Sequence, residues 1–413
     1  MDRSRTTRVL QESRSGIEQW FSWCSIPECA SHPWHTLPIV RSRTTASGSL
    51  VGLANTDGHG KREPAYQAES WGVTYRRPVP VNPGGEYHRA MIRSIVLALL
   101  LCVVCLPAAE HPEAEISNGL VTAKIYLPDF EKGYYRGTRF DWSGVIHSLT
   151  YKGHEYFGEW QQSDDPHLHD RITGPVESFS LNASAQNFSK LPAGGTFLRI
   201  GVGVCEKPDK ENFQWQHTYR VVDPGKWTVR RGENWIEFVQ DVSDSISGHG
   251  YSYTKRMTLT PGRPELVIDH VLSNTGKKAI ETSVYNHNFF VIDGQPTGPD
   301  FVVRFPFDLT ADRDLKGYGE VRGPELAYNK VIPDGEHIIT LFTGYGDTAD
   351  DNQFAIENRK VKAGVRMKTD KPLSKLQFWS PHTTLCPEPF IDLKVAPGQA
   401  DRWAARYEFY TLD

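Results

Sequence analysis

Apolar and polar residues alternate along most of the chain after residue 110, in short runs. Lys255, Arg256, Met257, Thr258 and Leu259 show the pattern, with Met257 and Leu259 on one face of an extended strand. Comparable runs at 120–127, 145–151, 196–204, 217–222, 227–230, 235–239, 251–259 and 265–272 predict strands. So do 281–292, 301–307, 337–342, 353–368, 375–379 and 402–410. Turn residues separate them, as at Asp223, Pro224 and Gly225, at Asn274, Thr275 and Gly276, and at Ala396, Pro397 and Gly398. No segment keeps a 3.6-residue period over three helical turns. A dozen or more antiparallel strands in about 300 residues cannot stay one open sheet, so the pattern predicts an all-β fold, a large antiparallel β-sandwich.

Residues 1–90 lack this pattern. They carry ten Arg and one Lys, Lys61, with Ser, Pro, Trp and His scattered among them, and nothing there alternates well enough to build a buried face. The segment reads as disordered or as the product of a start codon placed too early, with a poorly patterned regulatory extension as the alternative. Met91, Ile92, Arg93 and Ser94 then form a short positively charged start. An apolar run of 12 residues follows at 95–106, and Pro107, Ala108 and Ala109 supply a break and small residues. That order is the order of a secretory signal peptide, and the run is too short to span a bilayer. The expected organisation is an extension at 1–90, a signal peptide at 91–109 and one domain at 110–413. The expected location is periplasmic or extracellular, with no membrane span left after cleavage.

Charge narrows the partners. Residues 110–413 hold 34 Lys and Arg against 42 Asp and Glu, a net of −8, which argues against a nucleic-acid surface. Only Cys205 and Cys386 remain in that part, and sequence alone does not say whether they pair. Neither a cofactor nor a metal is expected.

Two segments place a proton-transfer group among strand-forming residues. Glu388 stands between Pro387 and Pro389, which fix the backbone and remove donors. The spacing predicts a carboxylate held rigidly at a strand end or bulge, a geometry suited to a general base; a solvated turn is the bland alternative. His287 lies in the run Tyr285, Asn286, His287, Asn288, Phe289, Phe290. Alternation puts Tyr285, His287 and Phe289 on one face and Asn286, Asn288 and Phe290 on the other. His287 is a candidate acid or a satisfied core residue, and the Asn neighbours, Asn286 among them, raise the odds of a polar pocket. Arg136, Arg139 and Trp142 sit among glycines and aromatics, as sugar subsites do, or form a structural loop. His167 and His169, with Asp170 beside them, have the spacing of two metal ligands on one strand face or of a polar loop, and no third ligand follows.

With these residues in view, the chain over about 115–413 resembles the galactose mutarotase-like family, the aldose 1-epimerases and their relatives. The segment from Glu265 through Asn274 to Asn286, His287, Phe289 and Phe290 is similar to that family's strand, Asn turn, strand, Asn-His segment. The segment Cys386, Pro387, Glu388, Pro389, followed by Pro397, Gly398, Tyr407 and Phe409, is similar to its C-terminal Cys-x-Glu-Pro segment. Leu168 and His169 look like a Leu-His-Gly-Gly loop, although Asp170 and Arg171 stand where the family has two glycines. The family's sugar-binding Asp has no clear match, with Asp293, Asp350 and Asp351 available. The resemblance implies a sugar-binding β-sandwich. It implies Glu388 as base and His287 as acid in anomer interconversion by ring opening, and His169 as a sugar contact; Arg136, Arg139, Trp142 and Asn286 are candidate sugar contacts on the residues alone. A non-catalytic carbohydrate-binding protein of the same fold is the main alternative. A glycan lyase or hydrolase accessory domain is a third.

The domain boundary is directly testable. A chain starting at Glu110 should be soluble and unfold cooperatively, with residues 1–90 adding no stability; a melting temperature lowered by several degrees on deleting 1–90 would overturn this reading.

Overall fold

The computed structural model describes residues 111–181 and 188–413, all within the unit Met91–Asp413. The extension at 1–90 and the export signal at 91–109 lie outside the described residues. Among the described residues there are twenty-three strands and two single turns of 3-10 helix, Phe188–Lys190 and Ala349–Asp351. The fold is all-β, and every strand pairing is antiparallel.

Two large sheets dominate. The first has ten strands and is centred on Ala363–Thr369, Ala400–Thr411, Glu265–Asn274 and His249–Leu259, with Gly319–Arg322 and Lys226–Arg231 at its edges. The second has six strands in the order Thr310–Ala311, His337–Thr343, Lys375–Pro381, Cys386–Val395, Ile280–His287 and Val176–Phe179. A four-stranded sheet beginning at Glu113–Ser117 and a three-stranded sheet over Thr196–Arg199, Gly203–Glu206 and Val221–Asp223 complete the set. The sandwich forms because the alternating strands of the two large sheets have one apolar face each. Met257, Ile268, Ala405, Tyr407 and Phe409 of the first pack with Ile338, Phe342, Leu376 and Phe378 of the second. Further along the same interface Tyr253, Leu272 and Trp403 meet Val284, Ile391 and Leu393. Each large apolar side chain removed from water here contributes roughly 1.5–3 kcal/mol.

The alternation located most strands but not Glu113–Ser117, Val176–Phe179, Gly319–Arg322 or Glu325–Tyr328, and three further departures have local causes. The run at 196–204 is two strands, because Gly201 and Gly203 take positive φ and turn the chain. The run at 353–368 is likewise a hairpin, Gln353–Asn358 with Ala363–Thr369, turning where Lys362 has φ 60. Glu388 is not at a strand end: it is the third residue of Cys386–Val395, inside the six-stranded sheet. Pro387 and Pro389 hid this strand from pattern reading.

One inner-face residue breaks the apolar rule. Lys255 shares the face of Met257 and Leu259 and is fully buried. Its ammonium donates to Glu177 and to Ser143 O at 2.8 Å, and lies 3.5 Å from an Asp141 carboxylate oxygen. Glu177 also accepts from Asn286 Nδ2 at 2.9 Å and sits 2.9 Å from His270 Nε2. Lys255 and His270 come from the ten-stranded sheet, Glu177 and Asn286 from the six-stranded one. Burial disfavours the Glu177 charge, but Lys255 and His270 outweigh it and bring its carboxyl down to about 2. For Lys255, burial works against the charge and the carboxylates of Glu177 and Asp141 more than compensate. Removing Lys255 would leave Glu177 and Asp141 buried without the ammonium that both face. Lys255→Met should therefore cost about 3–5 kcal/mol, measured by urea unfolding; a loss under ~1 kcal/mol would show that the cluster does not join the sheets.

Candidate functional site

Three neighbouring strands of the six-stranded sheet turn a grid of side chains outward, away from the ten-stranded sheet. The registers pair Lys375 with Phe390, Gln377 with Glu388 and Trp379 with Cys386. They also pair Tyr285 with Phe390. Past Tyr285 the ladder to Ile280–His287 opens, then closes again at the bridge Phe290↔Leu385, whose backbones exchange bonds of 3.2 and 3.4 Å. That bridge keeps the same register, so His287 stands opposite Glu388. Alternation from it makes His287 and Glu388 a pair of the kind without mutual backbone bonds, whose side chains stand closer. The same alternation gives Pro387 and Pro389 the positions whose N–H would have pointed at Ile280–His287. Neither has one, so two prolines sit in an interior strand where the ladder is open. Asn288 fills part of the gap, donating from Nδ2 to Pro387 O at 2.6 Å.

The pair is close and shielded. His287 Nε2 lies 3.4 Å from Glu388 Oε1, and the two side chains are 3% and 1% exposed, so solvent scarcely screens them. Gln377 Nε2 donates to Glu388 Oε2 at 2.9 Å. His287 Nδ1 and Glu388 Oε1 are buried and make no hydrogen bond. Buried polar atoms without a partner are costly, and a ligand with matching groups would relieve that cost. The His287 ring stacks on Phe289 at 3.8 Å between centroids, with Phe140 and Trp379 edge-on at 5.5 and 5.6 Å. Trp160 stacks on Phe289 at 5.2 Å. This aromatic enclosure, with the nearby positive Arg139, pushes the His287 pKa well below the ordinary imidazole value. Burial pushes Glu388 up to about 7, against the pull of Arg139, Lys375 and the Gln377 hydrogen bond.

Arg139 is the positive charge near both members of the pair. Its guanidinium lies 4.6 Å from the Phe140 ring centroid and 4.3 Å from that of Trp215, and Nη2 donates to Tyr285 Oη at 3.2 Å. Trp215 also meets His169 edge-on at 5.3 Å, and His169 Nε2 is 3.6 Å from Asp170 Oδ2. The structure thus brings Glu388, His287, Arg139 and His169 to one region. Three other residues expected as sugar contacts are engaged elsewhere. Asn286 lies on the opposite sheet face, bonded to Glu177, as the alternation requires. Trp142 is buried in the core and spends its indole N–H on Gly137 O at 2.7 Å. Arg136 donates to Glu131 O at 2.7 Å. His167 and His169 belong to a loop, with His167 Nδ1 3.2 Å from Arg136 O. Among the described residues no group of three or more His, Cys, Asp and Glu is placed to hold a metal, and Cys205 and Cys386 are free. Of the Asp residues available to bind sugar, Asp293 is held by His154 at 2.7 Å, and Asp350 and Asp351 lie on the Ala349–Asp351 turn. Sequence reading missed Gln377, Lys375 and Trp379, although their spacing of two on a predicted strand puts all three on one face. Trp215 gave no signal, because nothing around it alternates.

No family model matches this chain, and no curated protein does. Solved structures do. A galactose mutarotase-like protein from Clostridium acetobutylicum is 16% identical, with 72% of this chain and 95% of that one covered at a TM-score of 0.46. One from Lactobacillus casei is 13% identical, with 72% and 100% covered at 0.43. An aldose epimerase homologue from C. elegans is 13% identical, with 73% and 99% covered at 0.40. Among the described residues no helix is long and apolar enough to cross a membrane.

The raised pKa of Glu388 links stability to pH. The folded chain holds this proton more tightly than the unfolded one, whose carboxyl titrates near 4.5. The stability it contributes is complete below that value and is lost as pH rises through about 7. Glu388→Gln cannot ionise, so from pH 5 to pH 8 it should gain on the parent, by on the order of 3 kcal/mol at most. Urea unfolding of both proteins across that range measures the difference, and a constant offset would contradict the environment described.

Proposed function

We propose that this protein is an exported sugar-handling protein of the mutarotase type, interconverting anomers by ring opening at the Glu388–His287 pair. The observation that carries the reading is the placement of the two groups. They come from segments a hundred residues apart, stand side by side at 3.4 Å, and each offers a buried atom that makes no hydrogen bond. Anomer exchange needs one proton taken from the anomeric hydroxyl and one given to the ring oxygen; the aldehyde then turns and the ring closes with the transfers reversed. One proton held by the pair suffices. The family resemblance assigns the base to Glu388 and the acid to His287. The burial of this pair favours the other starting arrangement, with the proton on Glu388 and a neutral His287. In that arrangement Glu388 protonates the ring oxygen and His287 takes the anomeric proton, and closure returns both. Arg139 and Trp215 supply the kind of contacts that hold a sugar, a fixed donor group and an aromatic face. The predicted signal peptide supports an exported location.

One observation favours the second reading, a non-catalytic carbohydrate-binding protein. Glu388 and His287 are almost closed off from solvent, so a sugar reaches them only if side chains packed around the pair move.

Kinetics separate the two. Glu388→Gln and His287→Asn should each lose at least ~100-fold in anomerisation rate, the scale of a positioned acid–base group, with sugar affinity changed far less. The parent rate should fall as pH rises through about 7, as Glu388 loses its proton. Exchange NMR on freshly dissolved α-anomers provides the measurement. A rate rising through that pH would mean an ionised Glu388 as the starting base. A parent that speeds no hexose, pentose or uronic acid, yet binds a glycan, would establish the binding reading.

A further inference from the structure

We propose that the sugar taken here carries a carboxylate, as a uronic acid does, and that Arg139 receives it. The inference rests on the sugar-site reading and names its substrate class. Its basis is how the Arg139 side chain is held. The Phe140 and Trp215 rings cover the guanidinium at 4.6 and 4.3 Å from their centroids, and Tyr285 Oη accepts from Nη2 at 3.2 Å. The group is fixed before any ligand arrives. Among the described residues that is its one hydrogen bond, and none brings a carboxylate oxygen within 4.0 Å of it. Stacking rings occupy the faces of a guanidinium and leave its N–H edges to a ligand. A planar edge of parallel donors matches the two oxygens of a carboxylate.

The charges nearby point the same way. Glu388 and Asp170 are the carboxyl groups that Arg139 feels. Asp170 is engaged with His169 at 3.6 Å and with the Gln161 side-chain amide at 3.3 Å, and Glu388 with Gln377 at 2.9 Å. Lys375, whose ammonium lies 3.5 Å from the Phe390 ring centroid, adds a second positive charge in the same row of the grid as Tyr285. That row lies two residues from the Glu388–His287 row, or about 6.6–6.8 Å along the strand. A pyranose with its anomeric carbon at the pair and its C6 carboxylate toward Tyr285 and Arg139 spans that step. A neutral hexose would put a hydroxymethyl group there, which offers the N–H edge of Arg139 one oxygen in place of two.

Calorimetric titration of the intact protein tests this with matched sugars: D-glucuronate against D-glucose, D-galacturonate against D-galactose, and D-glucose 6-phosphate as the other anion. At least one uronate should bind at least about tenfold tighter than its neutral match. Arg139→Gln should abolish that preference, and Arg139→Lys, which keeps the charge without the fork, should retain a part of it. Thermal unfolding of both variants confirms that they fold. Uronates binding no tighter than their neutral matches would overturn the proposal whatever the variants do. So would a preference that survives in Arg139→Gln, or tighter binding of the phosphate. Anomer exchange of the same sugars reports separately: a uronate bound with preference but not interconverted faster than in buffer keeps this proposal and ends the mutarotase reading. Neutral and acidic sugars interconverted and bound alike keep that reading and end this proposal.

Discussion

The ion cluster around Lys255 is the constraint on which the rest depends. An ammonium, two carboxylates and an imidazole are fully enclosed between the two large sheets, where an unpaired charge would be intolerable. Each member therefore has to find its partner: Lys255 and His270 of one sheet meet Glu177 of the other, and Asp141 comes from the loop before Val145–Tyr151. Apolar side chains can slide past one another at modest cost, but this set cannot: Lys255 reaches Glu177 only when His249–Leu259 faces Val176–Phe179 in one alignment. Directional contacts of this kind select one arrangement among the many that would bury similar apolar area.

The strand Ile280–His287 transmits that alignment to the outer face. Asn286 points inward and is bonded to Glu177, which pairs across the ladder with it; the next residue, His287, points outward. Consecutive positions on one strand thus serve opposite demands. The inner one completes a network in which polar groups are satisfied. The outer one enters a setting in which imidazole and carboxyl atoms are enclosed and left without hydrogen bonds. Pro387 and Pro389 belong to the same design. By opening the ladder beside Glu388 they free the backbone there from the strand that carries His287, and Asn288 secures the gap.

The chemistry of the pair follows from its enclosure. Phe289, Phe140 and Trp379 surround His287 with low-polarity surface, which disfavours its charged form. The same burial disfavours a charged Glu388, so the two groups are driven toward holding one proton between them. Arg139 and Lys375 oppose this for Glu388, and the outcome lies near neutrality, where a group gives and takes a proton with similar ease. The positive charges thus hold the titration of the pair near neutrality.

The alternation of Met257 with Leu259, and of similar pairs elsewhere, was enough to establish an all-β sandwich, because a period of two has one common physical cause. It also put Tyr285, His287 and Phe289 on one face and Asn286 on the other. A reader could have noticed Lys255 on the apolar face of its strand, but not what answers its charge. Asp141 and Glu177 come from distant segments, and only packing brings them there. Cys386–Val395 stayed hidden because proline opposes strand formation locally, and whether a ladder can tolerate it depends on a neighbour's register. For the same reason Glu388 and His287 could be singled out as chemically able residues, while their separation, their enclosure and their pKa values could not. Trp215 and Gln377 acquire meaning only beside Arg139 and Glu388. Local sequence determines which face a side chain takes. Which groups meet across that face, and how much water they keep, is set by tertiary structure, because both depend on residues far away in the chain.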